Sequence, residues 1–278
     1  MTARVFILSF FILLILQGSV CTQTKNEERE FSPAIEDNSF FIEEAYNQEE
    51  RVVQHISNAS YFKKPVEEIV FSFTQEWPLA SQSHQLSATI PYSSIGSGSA
   101  SGINDIMINY RYQLSNDPHK VVIAPRLSVI LPTGNSNQGL GSGVVGWQLN
   151  LPMSKRFSDA FIAHTNAGVT LLPQVKGADS FGNEVKQTLL SYNTGLSLIW
   201  LASYHYNVML EIAENFISEL GGTGSIVHTN ETIISPGFRY AVDVNELQIV
   251  PGLALPISIQ QGESRTGLFF YLSFEHPF

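Results

Sequence analysis

The sequence predicts an all-β fold: a closed antiparallel transmembrane β-barrel of about twelve strands, preceded by an N-terminal periplasmic or plug segment. Three observations predict it. From about residue 51 onward, segment after segment alternates large apolar residues with polar or small ones, a period of two. Many of these segments run to about 11 to 14 residues, whereas a globular strand averages about 5 or 6 and a tilted membrane-spanning strand needs about 9 to 11. The connections alternate between short ones such as LASQS and SNDPH and long ones, SSIGSGSAS, TGNSNQGLGSG, QVKGADSFGNEV and ISELGGTGSIVHTN, as they do between the two ends of an outer-membrane barrel.

The N-terminus sets the compartment. Arg4 is followed by the apolar run VFILSFFILLIL and then the smaller residues of QGSVC, the layout of a cleaved secretory signal peptide over residues 1–21. A transmembrane anchor needs about 20 apolar residues, and this run is shorter. Cys21 is the single cysteine, so no internal disulfide forms. A lipid-modified Cys21 is the alternative to simple cleavage, with Val20 and Gly18 in front of it departing from the lipoprotein pattern.

Residues 22–50 are acidic and carry one apolar knot, Phe40, Phe41 and Ile42, followed by Glu43 and Glu44. Two readings stay open. The charge suits a disordered periplasmic tail. The knot suits a plug that folds into the lumen, with the two glutamates pairing with lumen arginines. If those pairs are exposed, salt should loosen the plug.

Residues 51–278 form the barrel. Within 120–132, Val121, Ile123, Leu127, Val129 and Leu131 oppose Val122, Ala124, Arg126, Ser128 and Ile130. Within 144–156, Trp147, Leu149 and Leu151 oppose Gly146, Gln148 and Asn150. A β-sandwich would also alternate, so the pattern alone does not separate it from a barrel. Length, loop rhythm and aromatics toward strand ends (Trp77, Tyr92, Tyr110, Tyr112, Trp200, Tyr206, Tyr240) favour the bilayer. Every later apolar stretch is interrupted by Pro, Gly, Asn or charge, which excludes membrane helices. The last strand, TGLFFYLSFEHPF, places Phe270, Leu272, Phe274 and Phe278 on one face. It must pair with the first strand, because an open edge in hydrocarbon leaves backbone groups unsatisfied. A terminal strand ending in Phe also resembles the signal read by the outer-membrane insertion machinery.

Only 14% of the residues are charged, against about 25% in ordinary soluble domains. The formal charge of −10 excludes a nucleic-acid partner. Strand parity points Arg111, Arg126, Arg156, Arg239, Glu76, Asp105 and Glu211 into the lumen, either as a structural ladder or as a selectivity lining. His164 and Asn166 share a face with Ser191 and Asn193 on the next strand, but no orienting group at a known spacing, G-x-S-x-G or H-E-x-x-H accompanies them. The seven histidines lack metal-ligand spacing. The expectation is no enzyme, no metal and no cofactor.

The runs GINDIMINYRYQL, APRLSVILPTG, GWQLNLPMSKRF and SPGFRYAV, with DNSFFIEEAYNQEERVVQHI upstream, resemble the outer-membrane transporter-like family labelled for the MetA pathway of phenol degradation. The resemblance runs from about residue 38 to the end. It implies a bacterial outer-membrane location and uptake of small hydrophobic or aromatic solutes, and it carries over no functional residue. The expected function is a barrel channel for passive uptake of such solutes, in contact with outer-membrane lipid. The alternative is a structural or adhesive barrel with a closed lumen and partner-binding external loops.

Overall fold

The computed structural model describes residues 39–115, 117, 120–244 and 247–277; the expected leader with Cys21, the start of the acidic stretch and Phe278 lie outside them. The described chain is a closed antiparallel barrel of twelve strands. They are β1 (Val52–Phe62), β2 (Glu68–Leu79), β3 (Ser81–Ile95), β4 (Ala100–Ile103 and Ile106–Tyr112), β5 (Val122–Ile123 and Arg126–Leu131) and β6 (Gly146–Asn150 and Met153–Ser158). The second half comprises β7 (Phe161–Ala178), β8 (Glu184–Leu201), β9 (Tyr206–Leu220), β10 (Ile226–Tyr240 and Val242–Val244), β11 (Leu247–Ala254 and Ile257–Gln260) and β12 (Glu263–Pro277). Each strand pairs with its neighbours in sequence, and β12 returns to β1 from Val52↔Pro277 to Phe62↔Gly267. No edge strand is left, so every ladder has its partner.

The faces are inverted relative to a soluble sandwich. Leu149 is 52% exposed and Phe270 51%, whereas Gln54, Ser128, His164 and Ser235 are 0% exposed. An outer surface of Leu, Ile, Phe and Trp around a polar interior is unfavourable in water and suits hydrocarbon. Tyr110, Tyr112, Trp200 and Tyr240 sit on this outer face near the end of the barrel where β1 begins and β12 ends, hereafter the terminal end. Among the described residues no helix is long and apolar enough to cross a membrane, which says nothing of spanning strands.

Two features depart from the sequence reading. The segments QVKGADSFGNEV and ISELGGTGSIVHTN, expected as long loops, are mostly hairpin: β7 and β8 are 18 residues each and pair out to Ala178↔Glu184, and β9 and β10 pair out to Leu220↔Ile226. Backbone ladders continue past the apolar belt because polar side chains are solvated there: Lys176 and Lys186 lie opposite each other, and Glu184 sits 4.0 and 3.7 Å from their ammonium groups. The connection at 132–145 is a true long loop, with one 3-10 turn at Ser136–Gln138. The interior is also not polar throughout. Ile199, Leu201, Met209, Val250, Phe269 and Tyr271 are buried together on the β7–β12 side, so the lumen has one apolar sector and one polar sector.

Candidate functional site

Residues 39–48 cross the lumen from the apolar sector to the polar one. They lack regular secondary structure. Their amides therefore need side-chain partners once buried, and the barrel wall supplies them. The amides of Phe40, Phe41 and Ile42 all donate to Glu211 Oε1 on β9, at 3.1, 3.1 and 3.3 Å. Successive N–H groups converging on one carboxylate oxygen form a compact anion cradle. Ala45 N donates to Ser154 Oγ (2.8 Å), which also bonds His164 Nδ1 (2.7 Å). Asn47 N donates to Gln113 Oε1 and Gln48 N to Gln85 Oε1, at 2.7 and 2.8 Å.

Side chains complete the docking. The Phe40 ring packs 5.2 Å from Phe269 and 5.4 Å from Tyr271, and Phe41 lies 4.8 Å from Phe269. This contact requires inward-facing glycines. A Cβ at Gly252 would come within 2.7 Å of Phe40, one at Gly237 within 2.7 Å of Phe40, and one at Gly195 within 2.1 Å of Ile42. Burying the Phe40 ring contributes roughly 1.5 to 3 kcal/mol.

Two guanidiniums receive the glutamates. Glu43 Oε2 accepts from Arg126 Nε at 2.8 Å and Asn150 Nδ2 at 2.6 Å, and Glu43 Oε1 lies 3.5 Å from Arg111 Nη1. Arg111 reaches further along the segment: Nη1 donates to the Glu44 carbonyl at 3.1 Å, Nε to Asn47 Oδ1 at 2.7 Å, and Nη2 to the Tyr46 carbonyl. The side chains of Arg111 and Glu44 are 4% and 9% exposed, and those of Arg126 and Glu43 are 13% and 21%. The ion pairs are thus largely withdrawn from solvent, so the condition under which salt would loosen the segment does not hold.

Of the inward charges, Arg111, Arg126 and Glu211 touch the segment directly, and Glu76 holds it at one remove by accepting from Gln85 Nε2 at 2.7 Å. Arg239 is 1% exposed, near Asn207 and Tyr271. Asp105 and Arg156 lie elsewhere. Asp105 sits in the break of β4, where strand parity no longer governs direction, and its carboxylate accepts from Gly134 N, Ser142 N and Ser142 Oγ at 3.0, 2.7 and 2.6 Å, which fastens the 132–145 loop. Arg156 lies at the terminal end, donating to the Ser158 carbonyl, with Asp159 at 3.9 Å. On β12, Phe270 and Leu272 face outward and Phe274 stacks on His55 at 4.6 Å, on the seam with β1.

The glutamine clasp of Gln48, Gln54, Gln85 and Gln113 was not read from sequence. Amides on an inward face look like any solvated lumen position, and no spacing distinguishes those that meet a distant segment.

No family model matches the sequence, and no curated protein matches it. Among solved structures, an outer-membrane channel from Pseudomonas putida F1 superposes with a TM-score of 0.67 at 11% identity, covering 84% of this chain and 98% of that one. The KdgM porin (TM-score 0.49, 8% identity, 81% and 99% covered) and the CymD monoaromatic hydrocarbon channel (TM-score 0.46, 9% identity, 83% and 89% covered) lie further away. At these identities the likeness shows the barrel fold.

Proposed function

We propose that this chain is a bacterial outer-membrane channel for passive uptake of small solutes, with its lumen closed by residues 39–50. One observation carries the reading. The segment is held across the lumen by hydrogen bonds, ion pairs and the aromatic contacts of Phe40 and Phe41, with no ladder to the sheet, so it can leave without unfolding the barrel. The apolar outer belt supports the membrane location, and the superposition on a channel from an outer membrane supports the compartment. Residues 1–21 then serve as the leader, 22–50 as the closing segment and 51–278 as the barrel.

The resemblance to the MetA-pathway family gives the solute class, hydrophobic or aromatic. Phe41, Ile56 and Tyr271 lining the lumen support an apolar contact for it, while the amide and hydroxyl side chains opposite suit a solute that also makes hydrogen bonds. Planar-bilayer recording of the intact protein and of a variant lacking residues 24–46 tests the reading. Raised conductance in the truncated protein is expected. Equal conductance in both would remove the closing role, and a closed lumen in both would favour a structural or adhesive barrel.

A further inference from the structure

Between residues 39–44 and the end of the barrel opposite the terminal end, the lumen holds a chamber of about 510 Å³, within the range of about 300 to 1,000 Å³ usual for small-molecule sites. Resting on the channel reading, we propose that this chamber binds one uncharged, hydroxyl-bearing ring compound and discriminates against the corresponding carboxylates.

The lining disfavours an anion. Glu43, Glu44 and Glu76 line the chamber against Arg111 and Arg126. Every nitrogen of both guanidiniums already donates. Arg111 donates to Asn47, Glu44 and Tyr46. Arg126 donates to Glu43, Asn109, Ser128 and Gln148. A carboxylate entering here would lose hydration beside three carboxyl side chains and would compete with the carboxylate, carbonyl and amide oxygens that every guanidinium nitrogen already serves.

Neutral chemistry fits both walls. Thr89, Asn193 and Asn215 present hydroxyl and amide groups, which donate as well as accept. Phe41, Ile56 and Tyr271 offer an apolar surface to the flat or CH face of a ring. A sugar and an aromatic alcohol share this chemistry. Because residues 39–44 form one wall, bound solute touches the closing segment itself, and occupancy is linked to the position of that segment.

Isothermal titration calorimetry on the purified, full-length protein in detergent tests the site with glucose and glucuronate, and with benzyl alcohol and benzoate. An Asn193→Leu variant is titrated in parallel to subtract partitioning into micelles, with folding judged by heat-modifiable mobility; Asn215→Leu replaces it if it fails to fold. At least one neutral compound should bind ten-fold or more tightly than its own carboxylate and lose that binding in the variant. Which neutral compound binds identifies the source of the ring. A carboxylate that binds as well or better, neutral binding that survives both substitutions, or no binding by either neutral compound overturns the proposal. None of these readouts uses flux, so their failure leaves the channel reading to the conductance experiment.

Discussion

Phe40 occupies the space that a side chain at Gly252 would need: a Cβ built on Gly252 meets Phe40 Cζ at 2.7 Å, and its other close neighbours are Phe40 Cε1 and Arg239 Cγ. No backbone atom is among them. A larger residue there acts on the docked segment more than on the sheet. Gly252→Leu is therefore expected to displace Phe40 and raise single-channel conductance toward that of the truncated protein, with heat-modifiable mobility retained. Unchanged conductance in a folded variant would mean that Phe40 contributes nothing to closure.

The Glu43–Arg126 contact makes a second prediction. The two side chains are mostly buried and meet at 2.8 Å, a geometry in which salt screens weakly. Opening probability of the intact channel should change little between low and high salt. In a cycle of Glu43→Gln, Arg126→Gln and the double variant, the free energy of opening should show a coupling of about 0.5 to 3 kcal/mol. Additive single effects would remove the pair from the closing machinery.

Much of this was legible in the sequence, for a specific reason. Period-two alternation reports which face meets apolar surroundings, so Leu127, Trp147 and Leu149 are outside and Ser128, Gln148 and Asn150 are inside, as read. Parity fails where the ladder fails. Asp105 lies in the interruption between the two parts of β4, and its direction is set by the 132–145 loop that it anchors. Partner identity was hidden for a different reason. Nothing in the spacing of Glu211 tells that its carboxylate meets amides about 170 positions earlier, a contact made only when the barrel closes around the segment. The apolar sector around Ile199, Leu201 and Met209 was missed because an apolar residue at an inward position looks like an error in the alternation until Phe40 is placed against it.

Outward and inward positions of the barrel wall should differ sharply in tolerance. Leu127 is 48% exposed on the outer belt, whereas Thr170 lines the chamber. Leu127→Arg should cost about 2 to 4 kcal/mol if the site lies near the bilayer midplane, while Thr170→Asn should be close to neutral. Ser128, the sequence neighbour of Leu127, is a poor control, since it is 0% exposed and accepts a hydrogen bond from Arg126. Reversible denaturation in lipid vesicles measures both; equal losses would contradict the assignment of faces.

Assembly supplies the last prediction. The β1–β12 seam closes the barrel through eleven register pairs, Val52↔Pro277 to Phe62↔Gly267. On its outer face Phe270 and Leu272 lie opposite the small residues Ala59 and Ser57. The large side chains of the seam thus come mainly from the last strand, and the first strand offers little apolar surface of its own. Until β12 arrives, β1 presents an unpaired edge, which is costly in hydrocarbon. We therefore expect the end of the chain to control insertion: Phe278→Ala should lower the amount of folded protein in the outer membrane through weaker recognition by the insertion machinery. Phe270→Ala, on the same face of the terminal strand, should in addition destabilise the closed seam, lowering the unfolding midpoint of the protein that does insert. Quantifying heat-modifiable protein in outer-membrane fractions, together with its unfolding midpoint, separates the two, since the first variant should lose yield and the second also stability. Wild-type yield for Phe278→Ala would show that the terminal residue carries no assembly signal.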